Sequence, residues 1–256
     1  MTTGAAIREG ENAESDERRA IELAPELPPA HLALGSIFEN ATLDFPQARE
    51  EYERAAALAP GNAQVLRFSG ALDATTGHFD VGIAAARRAV VLDPLVRSGH
   101  LVLGAALYSA RRYKEAATAY AEAIRLNPDY TEPYAERGLA FYGLGDLESA
   151  RTSCETERDD SYSPQCLAVV YDKRSQHADA EGELAKIKAR LGDAGAYQYA
   201  AIYAQWGDRT KALEWLDTVM RLRDPGLESM KTDPLLDPLR KEPRFQAVMR
   251  ELKFPT

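Results

Sequence analysis

Four histidines, two cysteines and a surplus of carboxylates are the residues of this chain able to do chemistry, and their spacing argues against most of it. His31, His78, His100 and His177 are far apart, and none has a second ligand at zinc spacing. His31 and His100 fall at equivalent places in a repeated pattern, which points to architecture instead of metal binding. The Asp and Glu residues are spread along outer faces and turns, so no acid–base pair stands out. Gly143-Leu144-Gly145 ends a helix with no strand before it, and is read as a turn, not a phosphate loop. Arg111-Arg112 lies in a turn and is read as solvated. Cys154 takes a core-type helical position and Cys166 opens the next helix; both are expected as buried free thiols. The residues favour a non-enzyme, with no catalytic set, no metal and no cofactor.

Composition narrows the classes further. The chain has 256 residues and a formal net charge of −9. Such a charge disfavours a nucleic-acid partner, which needs a basic face. No apolar run approaches the ~20 residues of a membrane span. The start, MTTGAAIREGENAESDERR, lacks the basic n-region and apolar core of a secretory signal, so a cytoplasmic location is expected. Plentiful Ala, Leu, Glu and Arg favour helix.

The positioning elements repeat. In SGHLVLGAALYSARRYKEAATAYAEAIRLNP, His100, Leu103, Gly104 and Leu107 share one helical face, and Ala116, Tyr120, Ala123 and Leu126 share another. Gly104 and Ala116 are small where two backbones must approach. Pro128 closes the unit. Pro94 closes a similar unit 34 residues earlier and Pro60 another 34 before that, while Pro25 precedes Pro60 by 35. The extra residue is assigned to the turn near Thr42 to Phe45, where an insertion costs little. A period of about 34 is that of a helix–turn–helix unit unable to bury its apolar stripe alone.

Residues 1–12 are expected as a flexible tail, 13–225 as a solenoid of a half repeat plus about six repeats, and 226–256 as a C-terminal cap. Complete repeats begin near Pro28, Asn62, Ser98, Thr131, Pro164 and Asp193. Asp73 takes the place of the third repeat's Leu107, which marks the second as locally weaker or twisted. The fourth lacks its closing proline. The helix from about Pro243 to Leu252 is expected to cover the open end of the last repeat.

These units resemble the tetratricopeptide repeat family over nearly the whole chain from about Asn12 to Arg223. AAIYAQWGDRTKALEWLD and RDPGLESMKTDPLLDPLRKEPRFQAVMREL also resemble the ends of bacterial repeat arrays that follow signalling domains such as a nucleotide cyclase, a winged-helix domain or a kinase. The resemblance implies an all-α, right-handed α-solenoid with the first helices lining its concave side. On that side the register places Arg67 and Phe68, Leu101 and Tyr108, Leu139 and Tyr142, and Tyr197 and Gln205, with Gln165, Val169 and Asp172 between. Polar-tipped aromatics are common interface anchors. The expected function is a non-enzymatic scaffold that binds a protein or peptide segment in the concave groove. The alternatives are the regulatory part of a larger bacterial signalling enzyme or transcription regulator, and a self-assembling scaffold forming homo-oligomers.

Overall fold

The computed structural model describes residues 15, 17–129, 132–156 and 162–254. The expected N-terminal tail, with Asn12 and Ala13, lies outside them. After a helix over 17–23, six antiparallel helix pairs follow in chain order: α1 (Pro28–Ile37) with α2 (Phe45–Leu58), α3 (Ala63–Thr75) with α4 (Phe79–Leu92), α5 (Arg97–Ser109) with α6 (Tyr113–Leu126), α7 (Glu132–Leu144) with α8 (Leu147–Glu155), α9 (Tyr162–Lys173) with α10 (His177–Leu191), and α11 (Ala196–Gln205) with α12 (Arg209–Leu222). Two 3₁₀ turns, Pro225–Ser229 and Pro234–Leu239, lead to α13 (Pro243–Glu251). Each pair packs on the next, and no strand occurs among the described residues. The architecture is an α-solenoid.

The closing prolines set each unit's boundary. The residue ahead of a proline is driven out of the helical region. Ala59, Asp93 and Asn127 accordingly share one non-helical geometry, with φ of −138°, −140° and −152° and ψ of 69°, 78° and 89°. Six residues after the proline, a side chain returns to its carbonyl. His31 Nε2 lies 3.1 Å from Pro25 O, His100 Nε2 3.0 Å from Pro94 O, and the Tyr134 hydroxyl donates to Pro128 O at 3.3 Å. The equivalence of His31 and His100 thus has a structural role.

The turn inside each pair needs one residue at positive φ. Glycine supplies it at Gly77, Gly145 and Gly207, where φ is 91°, 79° and 81°. Leu43 and Arg111 take the same place at 57° and 60°, in a region costly for a side chain. The extra residue of the first repeat is absorbed just before Leu43, where α1 widens into a π-helical turn, Phe38–Thr42.

Asp73 is buried and receives Arg49 Nη1 at 2.8 Å from the preceding pair. Two sequence expectations are corrected. Cys154 and Cys166, both fully buried, are paired as a disulfide with Cα atoms 6.1 Å apart, joining the fourth pair to the fifth. Arg111 is not simply solvated: it holds the Asp237 carboxylate and donates to Thr232 O at 2.8 Å.

That last contact belongs to the main departure from a simple stack. α13 meets the final repeat through Arg209–Glu242 and Arg244–Asp217. The stretch before it runs along the face formed by the first helices. Leu227, Met230, Leu235, Leu236 and Leu239 are each at most 3 % exposed. Phe254 then stacks on Phe45 of the first repeat, with ring centroids 4.7 Å apart. Leu43 and Phe254 each pack against both the first repeat's apolar cluster and the cluster holding the C-terminal segment. The solenoid's two ends are therefore joined through its inside.

Candidate functional site: a tyrosine-lined cleft on the inner face

The site is built from the first helices of three pairs. α5 contributes Tyr108, α7 contributes Leu139 and Tyr142, and the end of α11 contributes Gln205. They line a cleft of about 410 Å³. Tyr113 at the start of α6, Lys173 at the end of α9, the Gly143–Gly145 turn and Pro234-Leu235 of the C-terminal segment complete it. The helical period puts these side chains on the face opposite each pair's core stripe. Stacking of successive pairs then brings residues 34 apart side by side.

The polar geometry is fixed from below. The Tyr142 hydroxyl donates to Gln205 Oε1 at 2.9 Å, and Gln205 Nε2 donates to Leu235 O at 2.7 Å. That chain orients the amide and ties the cleft wall to the C-terminal segment. Deeper in, the Tyr197 hydroxyl donates to Asp233 Oδ2 at 2.9 Å, while the other Asp233 oxygen accepts from Leu235 N at 2.8 Å. Tyr108 and Tyr113 form a tilted ring pair with centroids 5.7 Å apart.

Burial pushes the Tyr142 phenol up to about 12, with the charge of Asp172 adding to it. Burial also raises Tyr108 and Tyr197, and the charge of Asp233 raises both further, with its hydrogen bond adding to the effect on Tyr197. These phenols are neutral at ordinary pH. Tyr108 and Tyr142, which line the cleft, offer ring faces and hydroxyls, a chemistry of contact. With Lys173 also lining it, the cleft presents ring faces, a side-chain amide and one cation.

The eight inner-face residues read from the sequence divide into three groups. Tyr108, Leu139, Tyr142 and Gln205 come together in the cleft. Tyr197 is buried beneath the C-terminal segment. Arg67, Phe68 and Leu101 lie elsewhere. Arg67 lines a second cleft of about 390 Å³ beside Asp93 and Gly99 and donates to Ser98 Oγ. Phe68 packs on Tyr52 at 5.7 Å, and Leu101 packs into the middle apolar cluster. Of the intervening residues, Gln165 and Val169 are buried, and Asp172 accepts from His177 at 2.8 Å. Sequence reading missed Tyr113, Lys173 and Pro234-Leu235. Tyr113 had a local signal, as an aromatic opening a helix directly after the turn. Nothing local marks the other three.

Among the described residues no group of three or more His, Cys, Asp or Glu is arranged to hold a metal ion, and no helix is long and apolar enough to cross a membrane.

Residues 104–145 match the family model described as TPR repeat. A stretch of 97 residues, 38% of the chain, is 31% identical to Small glutamine-rich tetratricopeptide repeat-containing protein 2 of Mycosarcoma maydis, and spans 27% of that protein. Among solved structures, the chain is similar to TTC0263, a thermophilic TPR protein of Thermus thermophilus. That likeness has a TM-score of 0.60 at 19% identity and covers 76% of this chain and 100% of the other. PilF of Pseudomonas aeruginosa matches with a TM-score of 0.56 at 20% identity, covering 73% and 91%. At such identities the likeness is one of fold. From its spacing, its helix pairs and these matches, the chain carries tetratricopeptide repeats and folds as a tetratricopeptide-repeat solenoid.

Proposed function

We propose that the chain is a non-catalytic interaction scaffold that takes an extended segment of a partner protein in the tyrosine-lined cleft. The observation that carries this reading is the convergence of Tyr108, Leu139, Tyr142 and Gln205 from three different helix pairs onto one open cleft. A core needs no such opening, and polar-tipped rings around a pre-formed cleft are the usual anchors of peptide recognition. The test is binding of synthetic partner peptides, first identified by affinity capture, measured by titration calorimetry. Tyr108→Ala combined with Tyr142→Ala should weaken binding about tenfold or more with far-UV helicity kept. Tyr142→Phe, which keeps the ring and loses only the bond to Gln205, should cost less. Unchanged affinity in the double variant would place the site elsewhere.

Self-assembly is a second reading, favoured by one surface feature. Val91 and Leu95 are 78% and 75% exposed at the end of α4 and in the turn after it, beside the half-exposed Leu92. Sedimentation velocity across a concentration series separates the two, because a scaffold for other proteins stays monomeric where Val91→Asp has no effect.

A further inference from the structure

The joint between the solenoid's ends contains two carboxyl groups that the peptide cleft does not use. Glu39 sits in the π-helical turn Phe38–Thr42, and Glu228 sits in the 3₁₀ turn Pro225–Ser229 that packs against it. Glu39 is 7% exposed and accepts the Tyr52 hydroxyl at 2.7 Å. The charge of Glu228 reaches both Glu39 and Tyr52. The π-turn exists because the first repeat is one residue longer than the next two. The added residue thus lies where the first repeat meets the C-terminal segment.

We propose that this joint is an acid-tightened clasp: Glu39 and Glu228 hold the C-terminal segment against the first repeat while they carry protons, and loosen it when both ionise. The reasoning is electrostatic. A protonated carboxyl buries at modest cost and can hydrogen-bond, whereas the buried Glu39 carboxylate and the half-buried Glu228 carboxylate, on turns packed against one another, repel and lose hydration when both are charged. Other charged and titratable groups stand on the elements around the joint, among them the His31–Glu51 pair between α1 and α2. Tyr52, on α2, is raised by burial and by Glu39, so it stays a neutral donor. Arg18 lies over the Phe38 ring at 5.4 Å, and Lys231, which burial pulls down, lies over the Phe254 ring at 5.9 Å. One turn before Tyr52 on α2, Arg49 is engaged with Asp73 and Thr76, and His78 with Thr76.

Burial pushes Glu39 and Glu228 each up to about 7 from an ordinary 4.5. The closed form therefore binds protons that the open form releases. Closure is fully favoured below about 4.5 and is lost as pH rises through about 7. With those values the closing equilibrium falls about tenfold per carboxyl between pH 6 and pH 8.

The experiment is amide hydrogen exchange of the full chain from pH 5 to pH 8.5, corrected for intrinsic exchange and read at Leu227 and Met230, whose amides bond to Asp224 O and Leu227 O. Protection there should fall by roughly a hundredfold between pH 6 and pH 8, while amides inside α5 and α6 hold steady. E39Q combined with E228Q should remove the pH dependence. Carbon-detected NMR titration of the two wild-type carboxyls provides a second reading that requires no variant. Midpoints near 4.5, or an unaltered pH profile in the double variant, would overturn the clasp. Neither measurement involves the peptide cleft, so the clasp and the scaffold reading stand or fall separately.

Discussion

At the scale of residues, the repeat is held by close contacts that tolerate little change. Gly104 lies against the Tyr120 ring so closely that a Cβ would meet its ring carbons at under 3 Å. Gly104→Val should therefore destabilise the chain by about 1–3 kcal/mol through overpacking, read as a lower urea midpoint with the slope unchanged. Arg111 poses a different trade. Its backbone sits at φ 60°, where neighbouring repeats use glycine, yet its guanidinium anchors Asp237 and Thr232 O. Arg111→Ala keeps the backbone strain and loses the anchor. Arg111→Gly loses the anchor and relieves the strain, so the glycine variant should be the more stable of the two by about 1 kcal/mol. Equal urea midpoints for both variants would show that the turn carries no strain. The glycine's place was legible in the sequence, since small residues recur at 35, 70, 104 and 138. The role of Arg111 was not, because its partner is 126 positions away.

At the scale of elements, local chemistry decides where helices begin and end. Asn62 caps α3 by accepting from Gln64 N at 2.8 Å and Val65 N at 3.3 Å. Asn62→Ala should cost about 1 kcal/mol, seen in the thermal midpoint and in faster exchange at the first turn of α3. Asp44, Asp146 and Asp208 cap α2, α8 and α12 in the same way, each accepting from a backbone amide three residues on. The first-helix and second-helix assignments were legible because period-3.6 patterning and the 34-residue spacing reinforce one another. Two element-level features escaped. The extra residue widens α1 into a π-turn because the chain must reach Leu43 at positive φ while still packing Phe38 and Phe45, both buried, in one cluster. The Cys154–Cys166 bond links helices whose approach follows from how the fourth pair stacks on the fifth, which spacing alone does not give.

At the scale of the whole molecule, the C-terminal segment makes a linear stack into a closed body. Leu227, Met230, Leu235, Leu236, Leu239 and Phe245 are all buried, which is worth on the order of 10 kcal/mol at ~1.5–3 kcal/mol per side chain. That is comparable with the stability of an entire domain, about 5–15 kcal/mol. A chain ending at Asp224 should therefore lose its single unfolding transition and bind an apolar dye; an unaltered thermal midpoint would show the segment to be dispensable. The same magnitude makes the segment a permanent wall of the cleft: a peptide that had to displace it would first have to supply that energy. The sequence by itself determined the repeat length, the helix pairs and the caps, since these arise from contacts between neighbours along the chain or one repeat apart; its periodicity also put Tyr108, Leu139, Tyr142 and Gln205 on one face of their helices, while the meeting of Gln205 with Tyr142 across 63 residues needed the stack. Only the tertiary structure decided the path of residues 225–254, and with it the burial of Tyr197, the anchor at Arg111 and the packing of the Glu228 turn on the Glu39 turn. That path depends on curvature accumulated over six pairs, to which each interface adds a small rotation, and no local pattern encodes their sum.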